Sequence, residues 1–319
     1  MNKRIAVVCG VVAFLVTVTS CSQQKPANTP SAAQNAGKTK MYSGELSVAV
    51  DRTLQPILQQ EAEVFQFLYD SVQINTTYGN EQEILAQFSE GKAGVLVLAR
   101  ELTAAEKAML KEKDTIYTLE MKVAYDAVAL VANNSFNDEK LDVAALAGYF
   151  SSKNKSSTKL VFESTRSSCV DYVLNTLGYR EKVSSNVYAL KTVEEVIAYV
   201  EQNKDAIGFV PYSFLSDTDD ERVKQVLKRI KILSLRTQNE KGEQETVSAN
   251  QSDIASGTYP LIRTVNTVTR YTHTDNLERL FVNFLYKEKG AKIFLKAGLI
   301  PLKMPEREIN VNTEAVKGE

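Results

Sequence analysis

The sequence predicts an α/β protein in which mainly parallel sheets are flanked by helices. Short runs of β-branched and small residues alternate with segments of helical period along most of the chain, and this alternation is typical of parallel sheets covered by helices. The chain of 319 residues is 44% hydrophobic and 24% charged, a composition ordinary for a globular protein. Its length allows two units with separate cores.

Residues 1–20 are predicted to form a secretory signal peptide. Lys3 and Arg4 precede the apolar run Ile5 to Val16, which has the charged start of such a leader and falls short of the roughly 20 residues that span a bilayer. The run ends in Val18-Thr19-Ser20-Cys21, which resembles the lipobox of bacterial lipoproteins. That resemblance implies an extracytoplasmic protein anchored to a membrane by acyl chains on Cys21. A plain signal peptide with an incidental cysteine is the alternative.

Residues 21–43 are predicted to be the lipidated cysteine and a flexible tether. From Ser22 to Lys40 the chain contains Gln, Pro, Asn, Ser, Ala, Gly and Lys and almost no large apolar side chain. Such a stretch buries too little apolar surface to offset the entropy lost on ordering. The folded part is therefore expected to start near residue 44.

The elements of the folded part follow from their hydrophobic periods. The predicted strands are Glu45 to Val50, Ser71 to Thr76, Ala93 to Leu98, a long β-rich passage from Ile116 to Asn133, Lys159 to Phe162, Ala206 to Val210, Ile230 to Leu235 and Tyr259 to Thr272. The predicted helices are Leu54 to Leu68, Glu81 to Phe88, one from Thr103, Val143 to Phe150, one from Ser168, Val193 to Gln202, Asp219 to Lys228 and two more before Gly298. We interpret the polar segment Gln238 to Gln251 as a surface excursion and residues 306–319 as a partly ordered tail.

Composition excludes several function classes. The 38 basic and 39 acidic residues are interspersed, so the sequence lacks the basic stripe of a nucleic-acid binder. His273 is the single histidine, which rules out a multi-histidine metal site, and we predict neither a metal nor a cofactor.

Beyond the leader and its final cysteine only Cys169 remains. It could be a nucleophile near a helix start or a small, partly buried side chain; because His273 lies more than 100 residues away, we favour the second reading and predict no enzyme.

Three strand-to-helix junctions are rich in hydroxyl groups or small residues. They are Asp51 to Thr53, Thr76 to Asn80 and Arg166 to Cys169. In α/β sheets ligands bind beyond the carboxyl ends of the strands, where unpaired amides at helix starts favour anions. Ser, Thr, Asn and Asp are also common helix caps, so only their joint occurrence indicates an anion site.

From about Gly44 to Leu302 the order of motifs resembles the phosphate-binding family of solute receptors, in the periplasmic-binding-protein type 2 superfamily. The motifs are Glu45 to Pro56, Gly91 to Glu106, Tyr125 to Asn133, Arg166 to Cys169, Ala206 to Phe209, Gly257 to Arg263, and Gly290 to Pro301. The resemblance implies two lobes, each a mainly parallel sheet flanked by helices, joined by two hinge strands. It places lobe 1 at residues 44–124 plus 259–305 and lobe 2 at 125–258.

The resemblance implies a monomeric, non-enzymatic receptor that captures phosphate or a related small oxyanion for an ABC permease. The ligand-binding residues carried over from the three junctions and the third-strand segment are Arg52, Thr53, Thr76, Thr77, Arg100, Arg166, Ser167, Ser168 and Cys169.

Several positions depart from the family pattern, beginning with Thr76 and Thr77, which stand in place of a Gly-Ser-rich run. Ala99 replaces an aspartate, Glu163 stands near the position of a phosphate-neutralising arginine, and Ser168 and Cys169 replace glycine and threonine. A carboxylate at the Glu163 position repels a dianion unless Arg52, Arg100 or Arg166 compensates. The ligand could therefore be another oxyanion or an organic phosphate. Alternatively, the protein is an interaction or scaffold lipoprotein with a degenerate site. Asp126, at the expected hinge, either binds ligand or bonds nearby backbone amides.

Overall fold

The structure is a computed structural model that describes residues 42–306, apart from residues 115–116, 138–139, 152, 154–156 and 240. The predicted signal peptide, the lipidated Cys21, almost all of the tether and the tail beyond residue 306 lie outside the described residues. The strands are β1 Gly44–Asp51, β2 Val72–Gly79, β3 Val95–Leu98, β4 Thr118–Asn133, β5 Lys140–Asp142, β6 Lys159–Phe162, β7 Val187–Ala189, β8 Ala206–Pro211, β9 Ile230–Ile232, β10 Ser234–Gln238, β11 Gln244–Val247, β12 Ile262–Arg270 and β13 Ile300–Pro301.

Along the chain, the helices are interspersed with these strands. They are α1 Gln55–Leu68, α2 Glu81–Ser89, α3 Ala104–Asp114, α4 Val143–Tyr149, α5 Ser168–Thr176, α6 Val193–Gln202, α7 Glu221–Leu227, α8 Gln251–Ala255, α9 Leu277–Tyr286 and α10 Glu288–Lys296. A short 3-10 helix, Arg52–Leu54, joins β1 to α1. Several helices begin where the sequence supplies a cap. At α3, for example, Glu106 donates its backbone N–H to the Thr103 hydroxyl, and its carboxylate accepts from the Thr103 amide, as capping-box spacing predicts.

Strand β4 belongs to both halves of the sheet. In the first half β1 lies between β2 and β3 and is parallel to both, and β12 is antiparallel to β3 and to the start of β4. In the second half β6 lies between β7 and β8 and is parallel to both, and β8 is antiparallel to the end of β4. The carboxyl ends of β1 and β6 each lead, through a short turn, towards a helix.

Each half has its own hydrophobic core. Phe65, Phe281 and Phe294 are fully buried in the first half, where the Phe65 and Phe281 rings meet edge to face with centroids 5.1 Å apart. In the second half the rings of Phe162 and Phe209 stack with their centroids 4.5 Å apart. Aromatic pairs of this kind add to the apolar area that they bury, so both halves contain enough core to hold their loops in place.

The structure differs from the sequence prediction at short strands. The segment Gln238 to Gln251, predicted as a surface excursion, contains the strand β11, which pairs with β10 as an antiparallel hairpin. The strand predicted at Ile230 to Leu235 divides at Leu233, because β9 pairs with β4 whereas β10 pairs with β5. Strands β5 and β7, three residues each, are too short to show a period in the sequence.

Candidate functional site

Two of the three predicted junctions meet between the halves of the molecule. The turn after β1 brings the hydroxyl of Thr53 to 3.1 Å from the hydroxyl of Ser168, the first residue of α5. The two residues are 115 positions apart in the chain and both are buried. This contact places one residue from each junction at the edge of a common cleft.

Side chains within each junction fix its geometry. Oδ1 of Asp51 accepts hydrogen bonds from the Thr53 amide and the Thr53 hydroxyl, both at 2.8 Å. Ser167 caps α5 by accepting from the Cys169 amide at 3.0 Å, as a Ser at this position is expected to do. The Ser167 hydroxyl also donates to the carboxylate of Glu163. Both turns are therefore held by short local contacts that the sequence specifies.

A buried ion pair lies beside this contact and joins the neighbouring strands β12 and β4. Arg263 on β12 donates from Nη2 and Nε to Oδ2 of Asp126 on β4, at 2.7 and 3.0 Å, and both side chains are fully buried. Its Nη1 points towards Ser168 Oγ at 3.3 Å and Cys169 Sγ at 3.4 Å. Burial alone would lower the pKa of Arg263, but the acidic groups around it, Cys169, Asp126 and Asp51, together outweigh burial and the pKa is raised. Asp126 thus pairs with arginine instead of capping backbone amides.

Cys169 has the surroundings of an inert thiol. It is completely buried, and burial raises its pKa well above the usual value, against the smaller opposing effect of Arg263. A thiol whose pKa is raised stays protonated over a wider pH range, so little of the reactive thiolate forms. His273 is exposed and stacks edge to face with Tyr271, and it makes no hydrogen bond to Cys169 among those of the described residues.

The cleft is bounded on its inner side by two buried carboxylates. Asp51 is 2% exposed and Glu163 is 4% exposed. Oδ2 of Asp51 and Oε2 of Glu163 have no hydrogen-bond partner among the described residues. Burial raises the pKa of Glu163, and the hydrogen bond from Ser167 only partly opposes this. Two residues of the cleft wall therefore each contain a buried acceptor oxygen without a donor.

Exposed cations line the same cleft, which has a volume of about 370 Å³. Arg52, Arg166 and Lys191 contribute to its wall and are exposed at its rim. A neighbouring cavity of about 660 Å³ shares Arg52 and Lys191 and adds Arg222. The cleft is thus lined by two buried carboxylates, by these exposed cations and by the exposed carboxylate of Glu83.

Three of the predicted ligand residues lie elsewhere. Thr76 and Thr77 are inside β2 rather than at its end, and the Thr77 hydroxyl donates to Gln87; Gly79 and Asn80 line the cleft in their place. Arg100 donates to the carboxylates of Glu81 and Glu106 at 2.7 to 2.9 Å, and these charges neutralise it. It borders a neighbouring depression that is also lined by Ser168 and Asp171.

Sequence reasoning did not select Lys191, Asp51 or Arg263 as site residues. Lys191 follows β7 and precedes the cap Thr192 of α6, so it occupies a fourth strand-to-helix junction. The rule that located the other junctions applies to it, but the three-residue strand β7 was not recognised. No local pattern marks Arg263, because its partner Asp126 is 137 residues away.

The described residues contain no group of three or more His, Cys, Asp or Glu side chains arranged to hold a metal ion. Among the same residues, no helix has both the length and the apolar character needed to cross a membrane. The polar side chains that line the cleft are hydroxyls, carboxylates, cations and the amide of Asn80.

Comparison with known proteins identifies the family. The sequence model of the PBP superfamily domain matches residues 27–289. The chain belongs to the PBP superfamily. It is 22% identical to the protein SphX of Synechococcus elongatus over 267 residues, which are 78% of this chain and 75% of SphX.

Solved structures agree with this PBP fold. A putative phosphate ABC transporter substrate-binding protein with bound phosphate from Clostridium perfringens superposes with a TM-score of 0.65, at 18% identity, over 82% of this chain and 100% of that chain. An ABC-type phosphate transport receptor from Vibrio cholerae superposes with a TM-score of 0.62, at 17% identity, over 81% and 100%. The predicted α/β fold of two lobes, with sheets flanked by helices, is confirmed.

Proposed function

We propose that this PBP-family protein captures a small oxyanion outside the cytoplasm for an ABC-type importer, with phosphate as the first ligand to test. The contact between Thr53 and Ser168 carries the proposal, because it brings hydroxyl groups from opposite halves to one cleft. Arg52, Arg166 and Lys191 at the rim supply positive charge. Hydroxyl donors and cations are the groups that bind oxyanions without a metal, and the similar proteins named for phosphate support the same ligand class.

The buried carboxylates favour a protonated oxyanion. Asp51 and Glu163 line the cleft, and each has a buried acceptor oxygen without a donor. Near neutral pH phosphate carries protons that can be donated to such oxygens, whereas sulfate carries none. A fully deprotonated anion would instead meet like charge in a poorly solvated site. We therefore expect phosphate to be preferred over sulfate.

Further features of the proposal concern the whole molecule. The protein acts as a monomeric, non-enzymatic receptor, and acyl chains on Cys21 hold it at a membrane. Residues 44–124 plus 259–305 form lobe 1 and residues 125–258 form lobe 2, and the lobes close over the ligand. Thr53, Ser167 and Ser168 contact the anion and Arg52 and Arg166 attract it, while Cys169 packs beneath.

Titration calorimetry at neutral pH tests this function. Phosphate is expected to bind and sulfate to bind more weakly, and Ser168→Ala is expected to weaken phosphate binding by roughly tenfold, the effect of losing one hydrogen bond to a charged group. Ser185→Ala is the matched control, because Ser185 is exposed on a loop and outside the cleft. Failure of every oxyanion to bind would refute the proposal.

A second candidate function is an interaction or scaffold lipoprotein that has lost its small-molecule ligand. One observation favours it: the hydroxyls of Thr53 and Ser168 already contact each other, and Glu163 accepts from the Ser167 hydroxyl. Thermal unfolding separates the two functions. The free energy of unfolding of a receptor rises by about 2.7 kcal/mol when the ligand concentration is a hundred times Kd. That of a scaffold does not change with phosphate, sulfate or organic phosphates.

A further inference from the structure

The hydrogen bonds around Ser168 form a chain of three steps. Nη1 of Arg263 donates to the Ser168 hydroxyl oxygen at 3.3 Å, and the hydroxyl oxygens of Ser168 and Thr53 are 3.1 Å apart. The Thr53 hydroxyl donates in turn to Oδ1 of Asp51 at 2.8 Å. The chain therefore begins at a guanidinium and ends at a carboxylate oxygen.

The two ends of the chain fix the direction in which each hydroxyl donates. A guanidinium has no acceptor atom, so the Ser168 oxygen accepts from Arg263. At the other end, Oδ1 of Asp51 also accepts from the Thr53 amide, and it lies closer to the Thr53 hydroxyl than Ser168 does. Hydrogen bonds to carboxylates are stronger than those between neutral groups. The Thr53 hydrogen is therefore committed to Asp51, and in its contact with Ser168 the Thr53 oxygen accepts.

One hydroxyl hydrogen at this contact remains available to a ligand. The hydroxyl of the neighbouring Ser167 donates to the Glu163 carboxylate, so its hydrogen is committed in the same way as that of Thr53. Of these three hydroxyls, Ser168 alone donates to a neutral oxygen, and Ser168 lines the cleft. Because an anion is a stronger acceptor than a neutral hydroxyl, an oxyanion in the cleft can take the Ser168 hydrogen from Thr53.

Arg263 is held in the orientation that this chain requires. Its Nε and Nη2 donate to Asp126 at 3.0 and 2.7 Å, and both side chains are fully buried. Arg263 itself is not one of the described residues that line the cleft. It therefore acts on a ligand through the Ser168 hydroxyl.

We infer that Arg263 is a positioning residue of the anion site, which makes Ser168 the hydroxyl donor and Thr53 its competing acceptor. In the empty cleft Ser168 donates to Thr53. When an oxyanion binds, the same hydrogen turns to the anion, and the hydrogen bond between the halves is lost. This inference rests on the proposed capture of an oxyanion and assigns the donor within that site.

The sign of the change in Kd tests the assignment, by calorimetry on the full-length protein with phosphate and with sulfate. Ser168→Ala is expected to weaken binding roughly tenfold, because the donor is lost. Thr53→Val is expected to tighten binding of both anions roughly fivefold, because the anion no longer displaces a neutral hydrogen bond. Thr267→Val is the matched control: Thr267 is also buried and its hydroxyl also donates, to the backbone of Met121, so the Kd should stay unchanged. Weaker binding by Thr53→Val would overturn the inference.

A second pair of variants tests the role of Arg263. Arg263→Lys keeps the positive charge opposite Asp126 and loses the fork that reaches Asp126 and Ser168 together. It is expected to weaken phosphate binding roughly threefold or more when Ser168 is present, and to have no further effect on the Ser168→Ala variant. Equal factors in the two backgrounds would overturn the positioning role. Circular dichroism checks the fold, and if Arg263→Lys does not fold, the sign of the Thr53→Val shift decides the inference alone.

The outcomes separate this inference from the proposed function. Tenfold weaker binding by both Thr53→Val and Ser168→Ala would overturn the donor assignment and leave oxyanion capture intact. Binding of neither phosphate nor sulfate by the unaltered protein would overturn both.

Discussion

The ion pair between Arg263 and Asp126 makes a strong prediction about stability. Asp126→Asn removes the charge that faces the guanidinium and preserves the size of the side chain. Oδ2 of Asp126 accepts two hydrogen bonds, at 2.7 and 3.0 Å, and neither side chain is exposed to water. Removing one partner of such a buried pair typically costs about 3–5 kcal/mol, since the other charge stays buried without compensation.

The remaining hydrogen-bond partners of Arg263 are the hydroxyl of Ser168 at 3.3 Å and the sulfur of Cys169 at 3.4 Å, neither of which carries a charge while the thiol stays protonated. The charges of Asp51 and Glu163 also act on Arg263 and remain in the variant, so the loss is expected to lie within that range. A domain is typically stable by about 5–15 kcal/mol. The substitution is therefore expected to remove at least about a fifth of the free energy of unfolding.

Urea unfolding followed by far-UV circular dichroism measures this loss, because the chain has no tryptophan. Asp220→Asn is the control: Asp220 also pairs with an arginine, Arg222, at 2.6 Å, but the arginine side chain is 90% exposed. Asparagine caps helices about as well as aspartate, and exposed pairs contribute about 0–1 kcal/mol. Equal losses for the two variants would refute the reasoning.

Two more predictions concern single buried positions. Burial raises the pKa of Glu61 well above 4.5, so the folded state holds the proton of this carboxyl group more tightly than the unfolded chain does. The free energy of unfolding therefore falls as the pH rises above about 4.5, by up to about 1.4 kcal/mol per pH unit. Glu61→Gln should flatten that decline in urea titrations at several pH values; parallel profiles would contradict it. Gly298 has φ +81°, and a Cβ added there would lie 2.1 Å from Cβ of Ser216. Gly298→Ala should therefore lower the free energy of unfolding by clearly more than the roughly 1–2 kcal/mol that an alanine in the left-handed conformation costs. Gly178→Ala, with φ +65° and open space, measures that backbone cost alone, and equal losses would disprove the clash.

Elements with a clear period were predicted well from the sequence. The helix Val193–Gln202 begins and ends where its apolar spacing indicates, and the strand predicted from Glu45 to Val50 extends by one residue at each end. Their apolar residues contact one core, so the local pattern and the tertiary packing agree. The partners of short strands depend on distant segments, which is why β5 and β7 were missed.

The candidate site was only partly predictable for the same reason. The junction rule located Thr53 and Ser168, since polar residues follow apolar strands there. It placed the second junction too early, because Thr76 and Thr77 alternate within β2 and the strand continues to Gly79. The pairing of Arg263 with Asp126 follows from the register of β12 on β4, in which these two residues are opposite each other. The sequence pattern does not determine that register.

The sixteen-residue strand β4 has a mechanical consequence. Its backbone bonds to β12 over one stretch and to β8 over the next, so no loop lies within it to act as a joint. Any reorientation of one half against the other must therefore bend or twist an intact hydrogen-bonded ladder. When the ligand binds, the two halves should therefore reorient by elastic deformation of β4 and not by free rotation about a flexible loop.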